Sequence, residues 1–469
     1  MSELEDLFIR AARAGAVHRD TVGDRPVAGT ASREDAWAAF AGALPDDPTP
    51  AAQVLEELLA AADGRLVGTV GPRYFGFVIG GSTPAAAAAD LLAVGWDQNA
   101  FNPVLSPAAE GAERAAGGWV KDLLGLPRGA SVGFVTGAQA ANTVGIACGR
   151  HWVLEQAGYD VETDGLIGAP RVRVVTGAER HATIDRSVKL LGLGTASLVG
   201  VLTDDQGAVD ADDLEKVLAR EPQRPTIVCL QAGNVNTGAS DAFARAIPLA
   251  KGSGAWVHVD GAFGLWAAAS PGRSHLVDGV GLADSWATDA HKWLNVPYDS
   301  GLAIVRDPAV HGRTMSYSAA YLTGSGGTDY AMGDLVLDSS RRARGFAVWA
   351  ALRELGRSGL ADLVERNCLL AGRMAERLAE GGATIANDVV LNQVLVGFGD
   401  VSLTDGDGVA DSRTDAIVAE VQRDGTCWLG ATTWHDQRLI RISVSNATTT
   451  EADIDASAAA ILAAVARVG

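Results

Sequence analysis

The chain has 469 residues, of which 48% are hydrophobic and only 20% charged, so disorder is excluded as its main state. Its 57 acidic residues outnumber the 38 Lys and Arg residues, which gives a formal net charge of −19. No segment supplies a basic stripe, so the composition argues against nucleic acid or an anionic membrane as a partner. The expected partner is therefore a small molecule.

Cysteine usage and hydropathy indicate the compartment. The four cysteines are far apart, and three of them lie in apolar stretches, which is typical of reduced, packed thiols. The N-terminus is acidic and amphipathic, unlike a signal peptide, and no apolar run is long enough to span a membrane. We therefore expect a cytoplasmic protein.

The first elements in chain order are predicted helices. One begins at Ser2, with Glu5 placed for a reciprocal capping box. A clearer helix begins at Thr49-Pro50, places Val54 and Leu58 on one face and ends at Gly64. No strand accompanies them, so residues 1–85 are predicted to be an N-terminal helical segment that packs on the main body or on a partner subunit.

From about residue 131, short β-branched runs alternate with helical stretches. Most of these runs are continuously apolar, as strands covered on both faces must be. The pattern predicts an α/β domain over residues 86–335 with a mostly parallel, doubly wound sheet of about seven strands. The predicted strands are Ser131–Val135, Arg171–Val175, Leu198–Leu202, Thr226–Leu230, Trp256–Val259, Ser285–Thr288 and Leu302–Val305.

The remaining residues, 336–469, are predicted to form a smaller C-terminal α+β domain. Two helices come first, followed by two strands and a closing helix with its cap at Thr450. The predicted bounds are Arg341–Leu355 and about Leu363–Leu378 for the helices, and about Val389–Val396 and Leu439–Val444 for the strands.

Ligands of open α/β sheets bind at the carboxyl ends of the strands, and the first such end is followed by a turn of small residues. This turn, Thr136 to Gln139, leads into a predicted helix. Backbone N–H groups at a helix start can hold a phosphate where small side chains leave room. The same pattern also fits a bare strand-to-helix connection.

A second strand end carries His258 and Asp260. An isolated carboxylate at the end of an apolar strand is costly unless something cationic faces it. Asp260 could instead be a turn residue, and His258 could be a hydrogen-bonded core histidine. A metal site formed by the two side chains lacks a third ligand.

Two further strand ends carry Lys292 and His181. Lys292 is flanked by Trp293 and Leu294, so its amine is predicted to be partly desolvated and able to attack an aldehyde. His181 opens a helix, where its ring could stack on a flat ligand or simply pack. An ordinary surface position is the alternative for Lys292.

Together these groups match the requirements of one cofactor, pyridoxal 5′-phosphate. It needs a phosphate cradle, a carboxylate for its ring nitrogen, a flat stacking group and a lysine amine. Asp260 and Lys292 are one βαβ step apart, which places them at adjacent strand ends. The residues thus predict a pyridoxal-phosphate enzyme.

The sequence also resembles the group II pyridoxal-phosphate-dependent amino-acid decarboxylases, the family of aromatic-L-amino-acid, histidine, glutamate and diaminobutyrate decarboxylases. The resemblance covers most of the chain and is most specific in two motifs, HVDGAFG at 258–264 and DAHKWLNVPYDSG at 289–301. GPRYFGFVIGG, DQNAFNPVLSPAA and RISVSNATTTEADID also match. The resemblance implies a type I, aspartate-aminotransferase-like fold and a homodimer with active sites at the interface.

The resemblance assigns roles to individual residues. It makes Lys292 the lysine that binds the cofactor covalently and Asp260 the partner of the pyridinium nitrogen. His181 matches the histidine stacked on the ring, and Ala262 matches the small residue beneath it.

The other cofactor-binding candidates surround these four residues. Ala138, Gln139 and His291 match the phosphate neighbourhood, and Asn234 stands where the family often has Thr near the cofactor. The last cofactor-binding candidate is His258, two residues before Asp260. No residue is assigned to a metal.

Tyr321 is the position that the resemblance links to the choice of reaction. In the family, a Tyr on a mobile loop here helps to protonate the Cα carbanion, whereas relatives that oxidise the amine to an aldehyde tend to carry Phe. The GSGG stretch at 324–327 is consistent with a closing loop. An ordinary loop tyrosine is the alternative.

Several positions depart from the family pattern. Gly71 replaces a usual His, Gly80 replaces the Thr of a Phe-Pro-Thr segment, and Asp289 replaces a common Asn. The substrate site is therefore altered. The aromatic residues of the 74–101 region suggest an apolar or aromatic substrate side chain, although they could equally be core: Tyr74, Phe75, Phe77, Trp96 and Phe101.

The sequence thus predicts an L-amino-acid α-decarboxylase that releases CO2 and an amine, with Lys292, Asp260, His181 and Tyr321 as catalytic residues. Alternatives on the same cofactor are decarboxylation coupled to oxidative deamination, carbon–carbon cleavage and transamination. A non-catalytic sensor or scaffold is a remote alternative from another class.

Overall fold

The structure is a computed structural model that describes residues 2–317, 330–399 and 409–469. The chain divides into two compact units. The larger unit contains residues 80–371 and 387–393, and the smaller unit contains residues 1–79, 372–386 and 394–469. The division into three segments at residues 85 and 335 stays a prediction.

The helices and strands are numbered in chain order. The helices are α1 Glu3–Thr21, α2 Arg33–Phe40, α3 Ala51–Ala62, α4 Pro84–Trp96, α5 Pro107–Leu123, α6 Ala138–Gln156, α7 Val161–Asp164, α8 Ala182–Leu190, α9 Ala211–Arg220, α10 Phe243–Gly252, α11 Pro308–Met315, α12 Gly345–Glu380, α13 Val409–Asp424 and α14 Glu451–Val468. The strands are β1 Ser131–Val135, β2 Arg173–Gly177, β3 Leu198–Val201, β4 Thr226–Gln231, β5 Trp256–Asp260, β6 Ser285–Asp289, β7 Gly301–Val305, β8 Thr384–Ile385, β9 Gln393–Gly397, β10 Gly430–Trp434 and β11 Gln437–Ser443.

The larger unit is built on a seven-stranded sheet in the order β1-β7-β6-β5-β4-β2-β3. The strands from β6 to β3 pair in parallel, whereas β7 runs antiparallel to both of its neighbours. Every predicted strand is present with its bounds shifted only slightly, so the predicted mostly parallel sheet is confirmed. The reversed direction of β7 was not predicted.

The sheet is covered on both faces, which explains the apolar strands. Every residue of β2, β5, β6 and β7 is buried. Helix α6 packs against the sheet through Val144 and Ile146, which join Val174 and Ile227 in one core cluster. Parallel strands with both faces covered require this kind of composition. Their carboxyl ends therefore meet at one edge, near the start of α6.

Helix α6 lies unusually close to β5, because glycines face that strand. A Cβ atom added to Gly145 would lie 2.4 Å from His258 Nδ1, and one added to Gly149 would lie 2.7 Å from Trp256 Cδ1. Real Cβ atoms do not approach other atoms so closely, so only glycine fits at either position. The two glycines thus fix how deeply the side chains of β5 are buried.

The two helices predicted after residue 340 are present, but no loop separates them. They meet at Gly356 within α12, where the backbone has φ 61° and ψ −174°. Glycine adopts this conformation without steric cost, so the chain can change direction and continue as helix.

The smaller unit contains the N-terminal helices and a four-stranded sheet in the order β10-β11-β9-β8. The predicted capping box of Ser2 with Glu5 is present at α1. The predicted cap at Thr450 is also present, in a capping box with Asp453 that begins α14. Within the residues that the structure places, no helix combines the length and the apolar character that crossing a bilayer requires.

The aromatic residues considered for a substrate pocket divide into two groups. Tyr74, Phe75 and Phe101 are core side chains with at most 5% of their surface exposed. Phe77 and Trp96 are more than half exposed. Phe77 has a left-handed backbone with φ 52°, and its ring stacks on Trp428 of the same unit.

Candidate active site

A cavity of about 450 Å³ lies at the carboxyl edge of the large sheet, within the larger unit. Strand ends supply four of its lining residues: Thr136 follows β1, Gln231 ends β4, Asp260 ends β5 and Asp289 ends β6. This is the edge at which open α/β sheets bind ligands.

The start of α6 forms one wall of this cavity. The cap residue Gly137 has no capping side chain of its own, and Ala138 N–H instead donates to Asp289 Oδ1 at 2.6 Å. A Cβ atom on Gly137 would lie 3.0 Å from the His291 ring and 3.2 Å from Asp289 Oδ1, so a side chain here would crowd both groups. The N–H groups that follow Ala138 in the first turn have no acceptor within α6, so this wall can also hold an anion beside Asp289.

Asp260 is held at the cavity as a hydrogen-bond acceptor. Its side chain is buried, with 4% of the residue exposed. Oδ2 accepts from Asn142 Nδ2 at 3.0 Å and from the Thr183 hydroxyl at 3.3 Å, and Oδ1 accepts from Ala262 N–H at 3.2 Å. No ion pair joins Asp260 to a lysine or arginine anywhere in the described ranges. All three donors are neutral, so none of them supplies a positive charge to Asp260.

Lys292 lies in a tight turn just after β6, and its amine also lines the cavity. The flanking Trp293 and Leu294 are fully buried, as the apolar sequence predicted. The amine itself has a partner that was not predicted, because Nζ lies 3.1 Å from Asp289 Oδ2. Asn295 N–H donates to the Lys292 carbonyl at 3.2 Å and closes the turn.

The backbone of Gly80 packs directly against this lysine turn. A Cβ atom added to Gly80 would lie 1.7 Å from the Lys292 carbonyl oxygen and 2.8 Å from Asn295 Nδ2. Thr83 N–H donates to the Asn295 carbonyl at 2.8 Å and holds the two segments together. With the lysine turn in this place, position 80 therefore has no room for a side chain.

His181 and Ala262 line the same cavity. His181 caps α8, and its Nδ1 accepts from Thr183 N–H at 3.3 Å, which fixes the plane of the ring. Ala262 offers only a methyl group, and its carbonyl accepts from Asp289 N–H at 2.9 Å. A ring and a small side chain thus border a space that a flat ligand could enter.

His291 and Gln139 are both ordered by neighbouring polar groups. His291 Nδ1 accepts from Ser300 N–H at 3.1 Å, so its Nε2 bears the proton and faces Asp289 Oδ1 at 3.3 Å. Burial lowers the pKa of His291 below its usual value. The Gln139 amide donates to Ser187 Oγ at 3.0 Å. Both residues line the cavity, and their place in the phosphate neighbourhood stays a prediction.

Two predicted cofactor contacts, Asn234 and His258, are not among the residues that line the cavity. Asn234 stabilises a loop, since its Oδ1 accepts from Asn236 N–H at 2.8 Å and its Nδ2 donates to the Glu179 carbonyl at 3.1 Å. His258 is fully buried behind Asp260, in line with the alternative of a hydrogen-bonded core histidine. Tyr321 lies outside the described residues.

Asn142 and Thr183, the side-chain donors to Asp260, were missed at the sequence level. Asn142 had a recognisable signal, because it is a polar residue in the middle of an apolar helical stretch, where it must find a buried partner. Thr183 had no such signal, since threonine is common in the first turn of a helix.

The residues present fit pyridoxal 5′-phosphate. The start of α6 suits its phosphate, the Lys292 amine suits its aldehyde, and Asp260, which has no lysine or arginine partner among the described residues, offers a carboxylate to its ring nitrogen. With the sheet order described above, this site defines a pyridoxal-phosphate enzyme of fold type I.

Comparison with known proteins gives the family. The model of the pyridoxal-dependent decarboxylase conserved domain matches residues 35–398, so the chain belongs to the pyridoxal-dependent decarboxylase family. The recognition of this family from the sequence is therefore confirmed.

Individual relatives agree with this assignment. The chain is 24% identical over 442 residues to an aromatic-L-amino-acid decarboxylase of Bacillus atrophaeus, covering 92% of this chain and 90% of that protein. It is 24% identical to a phenylacetaldehyde synthase of Arabidopsis thaliana, covering 87% and 84%. The crystal structure of Oryza sativa TDC with PLP and tryptamine superposes with a TM-score of 0.91 at 20% identity, covering 99% and 98%.

Proposed function

We propose that this pyridoxal-phosphate enzyme is an L-amino-acid α-decarboxylase that releases CO2 and the corresponding amine. One observation carries the proposal: Lys292 and Asp260 line a single cavity at adjacent strand ends, and α6 begins at that cavity. An amine, an anion cradle and a carboxylate are thereby available to one ligand.

When bound, pyridoxal phosphate provides a protonated ring that accepts the electron pair of a bond broken at the substrate Cα. Lys292 would hold its aldehyde carbon covalently, and the start of α6 with His291 would hold its phosphate. Asp260 would keep a proton on the ring nitrogen, because a buried carboxylate stabilises a neighbouring cation.

His181 and Ala262 would orient the reacting bond. The His181 ring would stack on one face of the cofactor, and the small Ala262 side chain would leave room beneath the other. Loss of CO2 is favoured when the bond to the carboxylate stands perpendicular to the ring, which a confined flat site can enforce. Tyr321 is proposed as the group that returns a proton to Cα.

An aromatic or apolar amino acid is the proposed substrate class. Two observations support it: the similarity to an aromatic-L-amino-acid decarboxylase, and the apolar side chains Phe263, Val235, Leu190 and Leu337 in the cavity lining. Apolar walls would stabilise such a side chain by removing it from water.

A cytoplasmic homodimer is the proposed assembly. Helices α1, α2 and α3 bury none of their residues, although Phe8, Trp37 and Leu58 are large and apolar. An uncovered apolar face of this kind suits a second copy of the chain. Light scattering of the purified holoenzyme should give twice the mass of one chain, and a monomer at every accessible concentration would contradict the proposal.

A product assay over a panel of L-amino acids tests the reaction. We expect CO2 and amine in equal amounts from at least one aromatic or apolar substrate, measured by mass spectrometry. The similarity to a phenylacetaldehyde synthase makes oxidative deamination the second candidate, and aldehyde with ammonia and peroxide would replace our proposal by it. A keto acid without CO2 would indicate transamination, and a shortened carbon skeleton without CO2 would indicate carbon–carbon cleavage.

A further inference from the structure

A chain of buried hydrogen bonds leads to Asp260 from inside the larger unit. Trp256 Nε1 lies 3.0 Å from Ser285 Oγ, and Ser285 Oγ lies 2.9 Å from His258 Nδ1. On the other side of the imidazole, His258 Nε2 lies 2.9 Å from Asn142 Oδ1, and Asn142 Nδ2 lies 3.0 Å from Asp260 Oδ2. We call the first four of these side chains, Trp256, Ser285, His258 and Asn142, the Asp260 network.

The two ends of the chain determine the direction of every bond in it. An indole N–H can only donate, and a carboxylate can only accept. Asn142 must therefore turn its amide nitrogen towards Asp260 and its oxygen towards His258. The His258 Nε2 then bears the proton, and its Nδ1 accepts from the Ser285 hydroxyl. Ser285 in turn accepts from Trp256, so each group donates towards Asp260.

Burial keeps this arrangement in one state. Asn142, His258 and Ser285 have no exposed surface. Burial also lowers the pKa of His258 to about 4, so the ring is neutral at physiological pH and one nitrogen remains an acceptor. An Asn142 amide turned the other way would place its oxygen against the Asp260 carboxylate, which buried polar groups avoid.

The backbone of α6 limits the movement of the ring. The Cβ position of Gly145 lies 2.4 Å from His258 Nδ1 and 3.2 Å from Ser285 Oγ, so the imidazole packs directly on the helix. His258 and Ser285 are also paired in register across β5 and β6. Helix and sheet together hold the ring at the distance that the hydrogen bonds require.

We propose that Trp256, Ser285 and His258 are positioning residues that hold the Asn142 amide in one orientation, and that Asn142 thereby holds the Asp260 carboxylate in the position that faces the cofactor. This role depends on the proposed function, in which Asp260 binds the ring nitrogen of pyridoxal phosphate. None of the three positioning residues lines the cavity, so each acts through Asn142.

The first experiment compares two ligands that differ at a single ring atom. Dissociation constants are measured for pyridoxal phosphate and for its 1-deaza analogue, in which carbon replaces the ring nitrogen. Ser285→Ala and His258→Leu should each weaken pyridoxal phosphate up to about tenfold, because each removes a buried neutral hydrogen bond that holds the Asn142 amide, and such a bond contributes up to about that much. Binding of the analogue should stay within about twofold, since it presents no nitrogen to Asp260.

A conservative variant separates positioning from packing. In His258→Gln the side-chain amide nitrogen can take the place of Nε2–H and donate to Asn142, so pyridoxal phosphate should bind as tightly as to the wild type. His258→Leu has a similar volume but no donor. Equal losses in the two variants would contradict the proposal.

Asp260→Asn distinguishes failure of this inference from failure of the proposed function. If Asp260→Asn weakens only pyridoxal phosphate while Ser285→Ala and His258→Leu weaken both ligands alike, the network is mere packing and the proposed role of Asp260 stands. If Asp260→Asn also affects both ligands alike, Asp260 is not the partner of the ring nitrogen, and the proposed function loses its support.

A second measurement uses the wild-type chain and needs no stable variant. Imidazole resonances of the cofactor-free protein, labelled with 15N-histidine, should include one ring with its proton on Nε2, unchanged between about pH 5 and 8. Its signal should be missing from His258→Gln. A proton on Nδ1, or a titration within this range, would overturn the direction assigned to the network.

Glycine variants provide a matched pair that leaves every polar group in place. Gly145→Ala would push the imidazole away from its hydrogen-bond partners. Like Ser285→Ala, it should weaken the binding of pyridoxal phosphate and leave the binding of the 1-deaza analogue nearly unchanged. Gly118→Ala on α5 is the control, because no atom lies within 4 Å of its added methyl group. A Gly145→Ala protein that binds both ligands like the control would contradict the proposal.

Discussion

The ends of β5 and β6 carry one carboxylate each, and the two differ in their surroundings. Asp260 and Asp289 are both almost fully buried and line one cavity. Asp260 receives only neutral donors, whereas Asp289 pairs with the Lys292 amine and accepts from Ala138 N–H. Asp289 thus has a cationic partner within the protein, whereas the cationic partner proposed for Asp260 is the ring of the cofactor. Neighbouring positions of one sheet edge give the same residue type different surroundings, and from these we propose opposite roles.

Removal of the amine between these carboxylates should have the largest effect. Lys292→Ala leaves no group to bind the cofactor covalently, so decarboxylation should fall to the background level. The measurement is CO2 release under saturating substrate. Lys216→Ala, which changes an exposed lysine of α9, should keep full activity. Activity near wild type in Lys292→Ala would refute the assignment.

Neutralising the carboxylate of β5 should have the next largest effect. Asp260→Asn retains the shape of the side chain but loses the charge that stabilises the protonated ring, so kcat should fall about 100-fold. The visible absorbance of the bound cofactor should change with it. A kcat within about twofold of wild type would show that the charge of Asp260 does not contribute to catalysis. The different surroundings of Asp260 and Asp289 would then have no effect on the reaction.

Neutralising the carboxylate of β6 should change cofactor affinity in the opposite direction. In Asp289→Asn no buried negative charge opposes a phosphate at the start of α6, so pyridoxal phosphate should bind about three- to tenfold more tightly. Asp210→Asn, at the cap of α9, is a control that removes a charge from a distant helix start. Weaker binding in Asp289→Asn would show that Asp289 supports the cofactor as Asp260 does.

The variant with the smallest expected effect at neutral pH changes the histidine behind Asp260, because its effect develops only as the pH falls. The folded-state pKa of His258, about 4, lies below the usual 6.5, so the unfolded chain binds more protons between these values. The contribution of His258 to the free energy of unfolding is therefore fully present above pH 6.5, and it is lost progressively as the pH falls towards 4. The slope of the unfolding free energy against pH reports how many more protons the unfolded chain binds. His258→Gln should lower this slope by up to about 1.4 kcal/mol per pH unit, which corresponds to one proton. An unchanged slope in denaturant titrations would contradict this.

The sequence was informative where local pattern dominates. The strands were predictable because β-branched runs such as Thr226–Gln231 are bounded by turn residues and buried on both faces. Lys292 and Asp260 were predictable because charged groups stand out at the ends of apolar strands. The family motifs added predicted roles for His181 and Ala262, which their residue types alone left open and which stay predictions.

Other features depend on contacts between distant segments and could not be predicted. The antiparallel direction of β7 follows from its pairing with β1 and β6, which short apolar strands do not specify. The pairing of Lys292 with Asp289 depends on the shape of one turn. The Asp260 network joins residues of α6, β5 and β6, and its only local signs are Asn142 and the glycine at 145.

The contact between Gly80 and the lysine turn limits how this enzyme can be redesigned. A threonine introduced at position 80, as the family resemblance would suggest, would place its Cβ atom on the Lys292 carbonyl oxygen. The main chain of either segment would have to shift, and the reactive amine would shift with it. Engineering of substrate choice should therefore start elsewhere on the cavity wall, for instance at Leu337 or Val235.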